Sequence, residues 1–478
     1  VNKYDLIPKE KILKFTRIVF PWANIGKLER DNLKKQKKIL NYEKKIEFLE
    51  KNHVNQELVS FIEHELKHEL YLVNYNEEEI YDKQFKIKKI TNKILKKQGP
   101  RSYLRTYQDK LFLITGTGLL MYSKDDVSNL FDNQVSKFIK IPSNFKEIVG
   151  EEYILKDRSI VKSFIIKNDQ IYLSYFKKLR KKTSEELSKY TIGNNKDDNC
   201  YNLEILRSDP IYNFKNLEKV KFNNFITFDK CVPWNTWGSG GHLTDYKEDK
   251  ILYTVGDMIS YENSSGIQYN WPQEIDNIFG KILSINIKTK KYKILSIGHR
   301  NSQGIFYYKN INGIFNTEHG PEGGDELNLN LLDHKTDKYK NYGWGKASYG
   351  EHYKTVNDPN NTLKKISPLY KSHKDHGFIE PLKQFTPSVA PTSIVVTSNF
   401  VDKENYNIEV YFGSLGHNND GDRRSLHQII LDNNLNILKH RVVKLNQRVR
   451  DVIFDKNSNM LILYLEYDGS IAFLKPKF

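Results

Sequence analysis

The sequence is poor in cysteine. Its 478 residues include only two, Cys200 and Cys231. Neither lies in a CxxC pair or in a Cys/His cluster with metal-ligand spacing, so we expect no structural zinc site. In an oxidising compartment the two cysteines could form one disulfide, and the sequence leaves that pairing open.

Long apolar runs are also missing. No stretch of about 18 apolar residues occurs, and we therefore expect no membrane-spanning helix within these residues. The chain begins at Val1 rather than at methionine, and we expect an upstream segment that could carry a signal peptide or a membrane anchor. This interpretation makes the protein periplasmic or otherwise extracytoplasmic and leaves membrane attachment open.

Several functional signatures are absent as well. There is no GxSxG motif for a nucleophilic serine, and GTG at 116–118 lacks the rest of a GxGxxG nucleotide fingerprint. The net charge is +16, but lysine and arginine are spread along the chain instead of concentrated in one tail. Composition therefore predicts no nucleic-acid partner.

The chain divides at Gly99-Pro100. Residues 27–72 are highly charged, lack glycine and proline, and show helical spacing of apolar residues, which predicts a helical spacer within residues 1–100. His64 and His68 lie four residues apart on that helix. Without a third ligand they are interpreted as part of a solvated face.

Residues 101–478 have a β-rich texture. Six similar strands, each preceded by a polar turn, start at Asp109, Asn168, Asp249, Ile311, Asn407 and Asn459. Blade-sized intervals of this kind are typical of a propeller, whereas a doubly wound α/β fold would need helices between the strands. We predict an all-β protein, a six-bladed β-propeller over residues 101–478.

The most specific motifs lie between Gly298 and Trp344. They read GHRNSQG, IFNTEHGPEGGDELN and NYGW, with GGHLTDYKEDKILYTVGD upstream and FTPSVAPTSIVV and QRVRDVIFDKNSNMLILY downstream. In this order the blocks resemble the glucose/sorbosone dehydrogenase family over about residues 225–478, and more weakly over 100–225. The first hundred residues lie outside the resemblance.

The resemblance implies an oxidoreductase that uses pyrroloquinoline quinone (PQQ) and calcium. In such enzymes a sugar gives a hydride to the quinone, a base takes the hydroxyl proton, and an external acceptor receives the electrons. Guanidinium groups suit the carboxylates of PQQ, and oxygen ligands suit calcium. Carried over by motif, the cofactor-binding residues are Arg300, Asn301, Arg448 and Arg450, and the metal residues are Gly320, Pro321, Glu326 and Tyr342.

Simpler roles are open for the same residues. The glycines after His319 could build only a tight turn, and Glu326 could bond backbone amides at a strand end. Arg448 could do no more than pair with a carboxylate on the next blade. His299 and His319 are alternative candidates for chemistry near the site.

The resemblance fails at the catalytic base. The family histidine aligns with Gly238, and the arginine four residues later is His242. Either His242 acts as the base from a shifted position, or the base is lost. The glutamine expected in an early glycine-rich block is also missing.

The sequence therefore leaves two possible functions. The first is a PQQ- and calcium-dependent dehydrogenase acting on a sugar or related alcohol. The alternative is a non-catalytic, calcium-stabilised propeller that binds a glycan or a protein partner.

Overall fold

The computed structural model describes residues 77–91, 95, 101–132, 138–150, 154, 159–190, 198–216, 218–232, 238–258, 270–332, 339–352, 369–401, 407–416 and 423–477. The predicted helices of residues 27–72 lie outside these ranges. Among the helices that are described, none is long and apolar enough to cross a membrane.

The described strands form six small sheets. Two strands precede the first blade, β1 (Glu77–Tyr81) and β2 (Phe85–Thr91). Blade 1 contains β3 (Ser102–Tyr107), β4 (Lys110–Thr115), β5 (Leu120–Asp126) and β6 (Phe138–Ile141). Blade 2 contains β7 (Val161–Lys167), β8 (Gln170–Lys181), β9 (Asn199–Ser208) and β10 (Phe222–Thr227). Blade 3 contains β11 (Gly240–Tyr246), β12 (Lys250–Val255), β13 (Lys281–Asn286) and β14 (Tyr292–Ile297).

The second half repeats this pattern. Blade 4 contains β15 (Ser302–Tyr308), β16 (Gly313–Glu318), β17 (Asp325–Leu331) and β19 (Lys383–Phe385), while the short β18 (Lys340–Asn341) pairs with β14. Blade 5 contains β20 (Pro391–Ser398), β21 (Ile408–Ser414), β22 (Ser425–Leu431) and β23 (Ile437–Lys444). Blade 6 contains β24 (Val449–Asp455), β25 (Met460–Leu465) and β26 (Ser470–Pro476). The described residues also form three short α-helices, α1 (Val127–Leu130), α2 (Phe145–Val149) and α3 (Ser184–Tyr190).

The two ends of the described chain share one sheet. β2 pairs with β26 from Phe85↔Pro476 to Thr91↔Ser470, and β1 pairs with β2. These hydrogen bonds close the ring of blades. The prediction of a six-bladed β-propeller is confirmed, and its last blade includes strands that precede residue 101.

The six strands recognised in the sequence are β4, β8, β12, β16, β21 and β25, which are the second strand of each blade. Neighbouring blades cover both faces of these strands, so their residues are almost continuously buried and read as apolar runs. The turns before β4 and β8 place Gln108, Asp109, Asn168 and Asp169 at positive φ. Asparagine and aspartate tolerate that conformation, which explains the polar turn signal.

The innermost strands form a closed ring around the axis. β3, β7, β11, β15, β20 and β24 each contact the next, and β24 contacts β3. Hydrophobic side chains fill the spaces between adjacent blades, including fully buried Tyr172, Tyr175 and Tyr253. The abundant aromatic residues therefore supply packing between blades.

Five innermost strands carry a β-bulge at their first residues. The irregularities occur in β7, β11, β15, β20 and β24 where each pairs with its second strand. A bulge re-aims a side chain, and the bulged segments include Lys162, His242, Gln303 and Arg450. We call the end of the propeller where innermost strands begin and second strands end the motif face, because the family-like motifs lie there.

Candidate functional site

Arg300, in the GHRN motif, contacts the EHGP and NYGW motifs. Its Nη1 donates hydrogen bonds to the carbonyl oxygens of His319, at 3.0 Å, and Gly320, at 2.6 Å. The guanidinium carbon lies 5.3 Å from the ring centroid of Trp344. The GHRN, EHGP and NYGW motifs, separate in sequence, thus meet around one arginine on the motif face.

Glu318 fixes the turn that carries Arg300. Its carboxylate accepts hydrogen bonds from the Arg300 backbone N–H, from the Ser302 hydroxyl at 2.9 Å and from His299 Nδ1 at 2.8 Å. The other ring nitrogen of His299 lies 2.8 Å from the Ser296 hydroxyl. Since both its ring nitrogens are engaged, His299 has a packing role.

Arg448 and Arg450 share one carboxylate. Nε of each arginine donates to Glu466, with 2.8 Å measured for Arg448. Glu466 and Arg450 are both buried. The carboxylate follows β25 in the arginines' own blade, not in the next blade. Arg450 is also a bulge residue of β24, which explains why it reaches the axis.

His242, the predicted base, lies inside the ring of innermost strands. Its ring meets the ring of Tyr103 edge-on, with centroids 5.9 Å apart, so blades 1 and 3 touch across the axis. Burial lowers the pKa of His242 well below its usual value, and Arg105 and Arg450 lower it further. Within the described chain its Nε2 is buried without a hydrogen-bond partner. These effects favour the neutral form of the imidazole.

Three arginines act on His319. Burial lowers the pKa of His319 to about 3, and the charges of Arg300, Arg450 and Arg101 also lower it. Its Nε2 lies 2.8 Å from the Pro391 carbonyl, so this nitrogen carries the proton and donates. Cationic groups from three parts of the ring thus converge at the axial end of the motif face.

Asn301 has a positioning role. Its Oδ1 accepts hydrogen bonds from the Gly240 backbone N–H, at 3.1 Å, and from Gln303 Nε2, at 2.8 Å. Gly240 belongs to the turn that leads to His242. Asn301 thereby holds the start of blade 3 against the start of blade 4.

Trp344 is held by hydrogen bonds at its indole and at its carbonyl group. Its indole Nε1 donates to Asp257 Oδ2 at 2.7 Å, and its carbonyl accepts from Gln273 Nε2 at 2.6 Å. Asn341 Nδ2 in turn donates to Gln273 Oε1 at 2.7 Å. The indole is buried, and its orientation beside Arg300 is set by blade 3 residues.

The turn at Gly320 is anchored by Asp325. Its carboxylate accepts from the backbone N–H groups of Gly320, at 2.9 Å, and of Val389 and Ala390, both at 2.7 Å. Burial raises the pKa of Asp325 to about 6 against the effect of these donors. A Cβ at Gly320 would lie 2.3 Å from the Gly323 carbonyl oxygen, so this tight turn requires glycine.

The predicted metal residues have mixed surroundings. Glu326 accepts from Asn328 Nδ2 at 3.0 Å, and Tyr342 donates its hydroxyl to the Leu329 carbonyl at 2.9 Å. Burial raises the pKa of Glu326 well above its usual value, and Glu318 raises it further. The imidazole of His373 lies beside this carboxyl group, with Nε2 3.5 Å from Glu326 Oε1. The Gly320 carbonyl, by contrast, already faces a guanidinium, while Pro321 continues the same turn.

The two cysteines form a disulfide. Cys200 at the start of β9 is bonded to Cys231, with the Cα atoms 4.9 Å apart. Cys231 lies in the connection from β10 to β11. The bond therefore ties the connection after β10 to β9 of the same blade.

Sequence reasoning missed several residues of the site. Asp257 and Trp344 stand inside quoted motifs, VGD and NYGW, but their mutual hydrogen bond depends on the packing of blades 3 and 4. Tyr103 and Arg101 lie in the part with weak resemblance, and Glu466 follows the last motif. These five residues come together at the motif face because the blades close into a ring.

Comparisons with known sequences agree with the motifs. The sequence model described as Glucose / Sorbosone dehydrogenase matches residues 155–473. An uncharacterized Synechocystis protein is 28% identical over 183 residues, which are 38% of this chain and 39% of that protein. The aldose sugar dehydrogenase YliI of Escherichia coli is 33% identical over 148 residues, 28% of this chain and 36% of that enzyme. The alignments thus span about two fifths or less of these relatives.

Solved structures share the fold. The soluble aldose sugar dehydrogenase of Escherichia coli in its apo form superposes with a TM-score of 0.54 at 17% identity, covering 84% of this chain and 100% of that one. The PQQ domain of pyranose dehydrogenase from Coprinopsis cinerea, in its holo form, gives a TM-score of 0.52 at 9% identity, covering 84% and 97%. With the motif match over 155–473, the chain belongs to the glucose/sorbosone dehydrogenase family.

Proposed function

We propose that this protein is a PQQ-dependent dehydrogenase that oxidises a sugar or a related alcohol and passes the electrons to an external acceptor. The observation that carries the proposal is the meeting of the GHRN, EHGP and NYGW motifs around Arg300, which donates to the His319 and Gly320 carbonyls and packs against Trp344. Concave sites that combine loops from several blades are the usual ligand sites of such folds.

The residues at this site fit a quinone with several carboxylates. Arginine offers paired donors to a carboxylate. In the described chain the buried Nε2 of His242 has no hydrogen-bond partner, so a bound ligand could form a hydrogen bond with this atom. Arg300 and Arg450 would hold carboxylates, with Arg448 at the more exposed edge. When bound, PQQ supplies the acceptor of the hydride.

The chain's own groups would bind and orient. The flat indole of Trp344 and the guanidinium of Arg300 form a layered surface that matches a planar ring system. Glu318 and Asp325 fix the backbone on either side, so the donors are preorganised before a ligand arrives.

Calcium stays a prediction, and no step here depends on it. The donor set at Gly320 does not fit a dication while the Arg300 guanidinium faces that carbonyl at 2.6 Å. The acidic surroundings of Glu326 suit a cation better. The disulfide between Cys200 and Cys231 supports an extracytoplasmic location.

The proposal is tested by titrating purified protein with PQQ and recording the quinone absorbance. We expect one binding site per chain. Arg300→Gln should weaken the affinity about 10- to 100-fold, because a charge-assisted hydrogen bond contributes about 1.5–3 kcal/mol. Arg180→Gln is the matched control, since Arg180 makes a surface ion pair with Glu186.

The outcomes separate the two functions. Binding together with sugar-dependent reduction of a dye supports the dehydrogenase. Binding without turnover supports the non-catalytic propeller, for which the specific observation is Gly238 at the position of the family histidine. Absence of PQQ binding contradicts the proposed function.

A further inference from the structure

The position that lacks a histidine is lined by another segment of blade 3. The Met258 backbone N–H donates to the Gly238 carbonyl at 3.1 Å, and the Gly256 N–H donates to the Ser239 carbonyl at 2.9 Å. A Cβ on Gly256 would lie 1.9 Å from the Gly238 oxygen. Asp257, between these two residues, is therefore held directly beside Gly238.

Asp257 is also tied to the arginine at the centre of the site. Its backbone N–H donates to the Arg300 carbonyl at 2.7 Å. Its Oδ2 accepts the Trp344 indole N–H at 2.7 Å, and that indole packs against the Arg300 guanidinium. One continuous set of contacts thus leads from Asp257 through Trp344 and Arg300 to Gly320.

His242 has a different environment. It contacts Tyr103, and its backbone N–H donates to Thr254 Oγ1 at 3.0 Å. Burial and the charges of Arg105 and Arg450 hold its pKa well below the usual value. His242 is thus packed against Tyr103 inside the ring of innermost strands, whereas Asp257 lies beside Gly238 and Trp344.

We propose that Asp257 is the catalytic residue that accepts the proton of the sugar hydroxyl. This inference rests on the proposed function. The C1 hydroxyl would give its proton to a carboxylate oxygen of Asp257, while C1 would give its hydrogen with two electrons to the quinone. The aldose would become a lactone, Asp257 would pass its proton on to the reduced quinone or to water, and an external acceptor such as a redox dye would take the two electrons.

The indole hydrogen bond has a defined part in this arrangement. Because Trp344 Nε1 donates to Oδ2, it fixes the rotation of the carboxylate and the direction of the other oxygen. A proton acceptor must lie within hydrogen-bond reach of the group it deprotonates. Trp344 is accordingly a positioning residue for Asp257, as well as a wall of the site.

The first experiment measures turnover of PQQ-loaded protein. Asp257→Asn keeps an oxygen that can accept the indole N–H but removes the base. We expect kcat to fall about 10²–10⁴-fold, with KM and PQQ affinity within threefold of wild type. Asp245→Asn, the same substitution at an exposed position of β11, should leave kcat unchanged.

The second experiment needs no cofactor. Protonation of Asp257 changes the acceptor of the Trp344 indole, so tryptophan fluorescence of the wild-type chain should change on acidification. Asp257→Asn should abolish this pH-dependent change in fluorescence. Trp344→Phe should abolish it too, which shows that Trp344 is the source among the five tryptophans. A component that persists in Asp257→Asn contradicts the assignment.

The failures are distinguishable. If wild-type protein does not bind PQQ, the proposed function fails. If it binds PQQ and turns over, while Asp257→Asn keeps the wild-type kcat, only the role of Asp257 is overturned. Loss of turnover in His242→Gln together with normal turnover in Asp257→Asn would show that His242, instead of Asp257, accepts the proton of the sugar hydroxyl.

Discussion

Glu466 is the most informative place to perturb the site. Its buried carboxylate balances Arg450, whose side chain is 4% exposed, and Arg448, which is 23% exposed. Glu466→Gln removes the negative charge but keeps the size of the side chain. Removing one partner of a buried ion pair typically costs about 3–5 kcal/mol, because the other charge stays desolvated. Since the glutamine oxygen can still accept one hydrogen bond, we expect a loss near the lower limit, about 3 kcal/mol.

The measurement is urea unfolding followed by circular dichroism. Glu351→Gln is the control: Glu351 pairs with Lys371 at 2.8 Å with both side chains about half exposed, and its loss should cost under about 1 kcal/mol. PQQ should stabilise Glu466→Gln more than wild type, because its carboxylates replace the missing charge. A Glu466→Gln protein within about 1 kcal/mol of wild type would refute this reasoning.

Three further results are expected. Replacing both Cys200 and Cys231 by serine should lower the free energy of unfolding by about 3–4 kcal/mol, the loop entropy for a sequence separation of 31, and an unchanged urea midpoint would contradict this. His319 has a folded-state pKa below its unfolded value, so the unfolded state binds more protons and the free energy of unfolding of wild type should fall by about 3 kcal/mol between pH 6.5 and 4; that of His319→Gln should fall less. Calcium should raise the Tm, and Glu326→Ala should abolish that rise; equal effects of magnesium, or a response of the variant, would contradict the Glu326 site.

The fold was predictable because its strongest signal is local. The second strands of the blades are buried on both faces and follow Asn/Asp turns, so each can be recognised within about ten residues. The outer strands of blade 6 were not predictable in this way. β2 is separated by more than 370 residues from its partner β26, β1 pairs only with β2, and nothing in the sequence of either strand shows the pairing.

The candidate site was predictable only where a motif stands next to the chemistry. The GHRN and EHGP motifs were recognisable in the sequence, and the structure brings them together through the hydrogen bond from Arg300 to the Gly320 carbonyl, while their roles toward a cofactor or a metal stay predictions. The partner of Arg450 was not foreseen, because Glu466 lies in a different strand connection of its blade. Likewise the carboxylate beside Gly238 is Asp257, whose position depends on the register of β11 and β12.

The central claim is that this site oxidises a sugar with PQQ. The most direct test is to load the protein with PQQ, remove oxygen and dye, add an aldose, and follow the quinone absorbance through a single turnover. The account predicts that a suitable aldose bleaches the quinone band by one equivalent per chain. A band that stays unchanged with every aldose tried, although PQQ is bound, would contradict it.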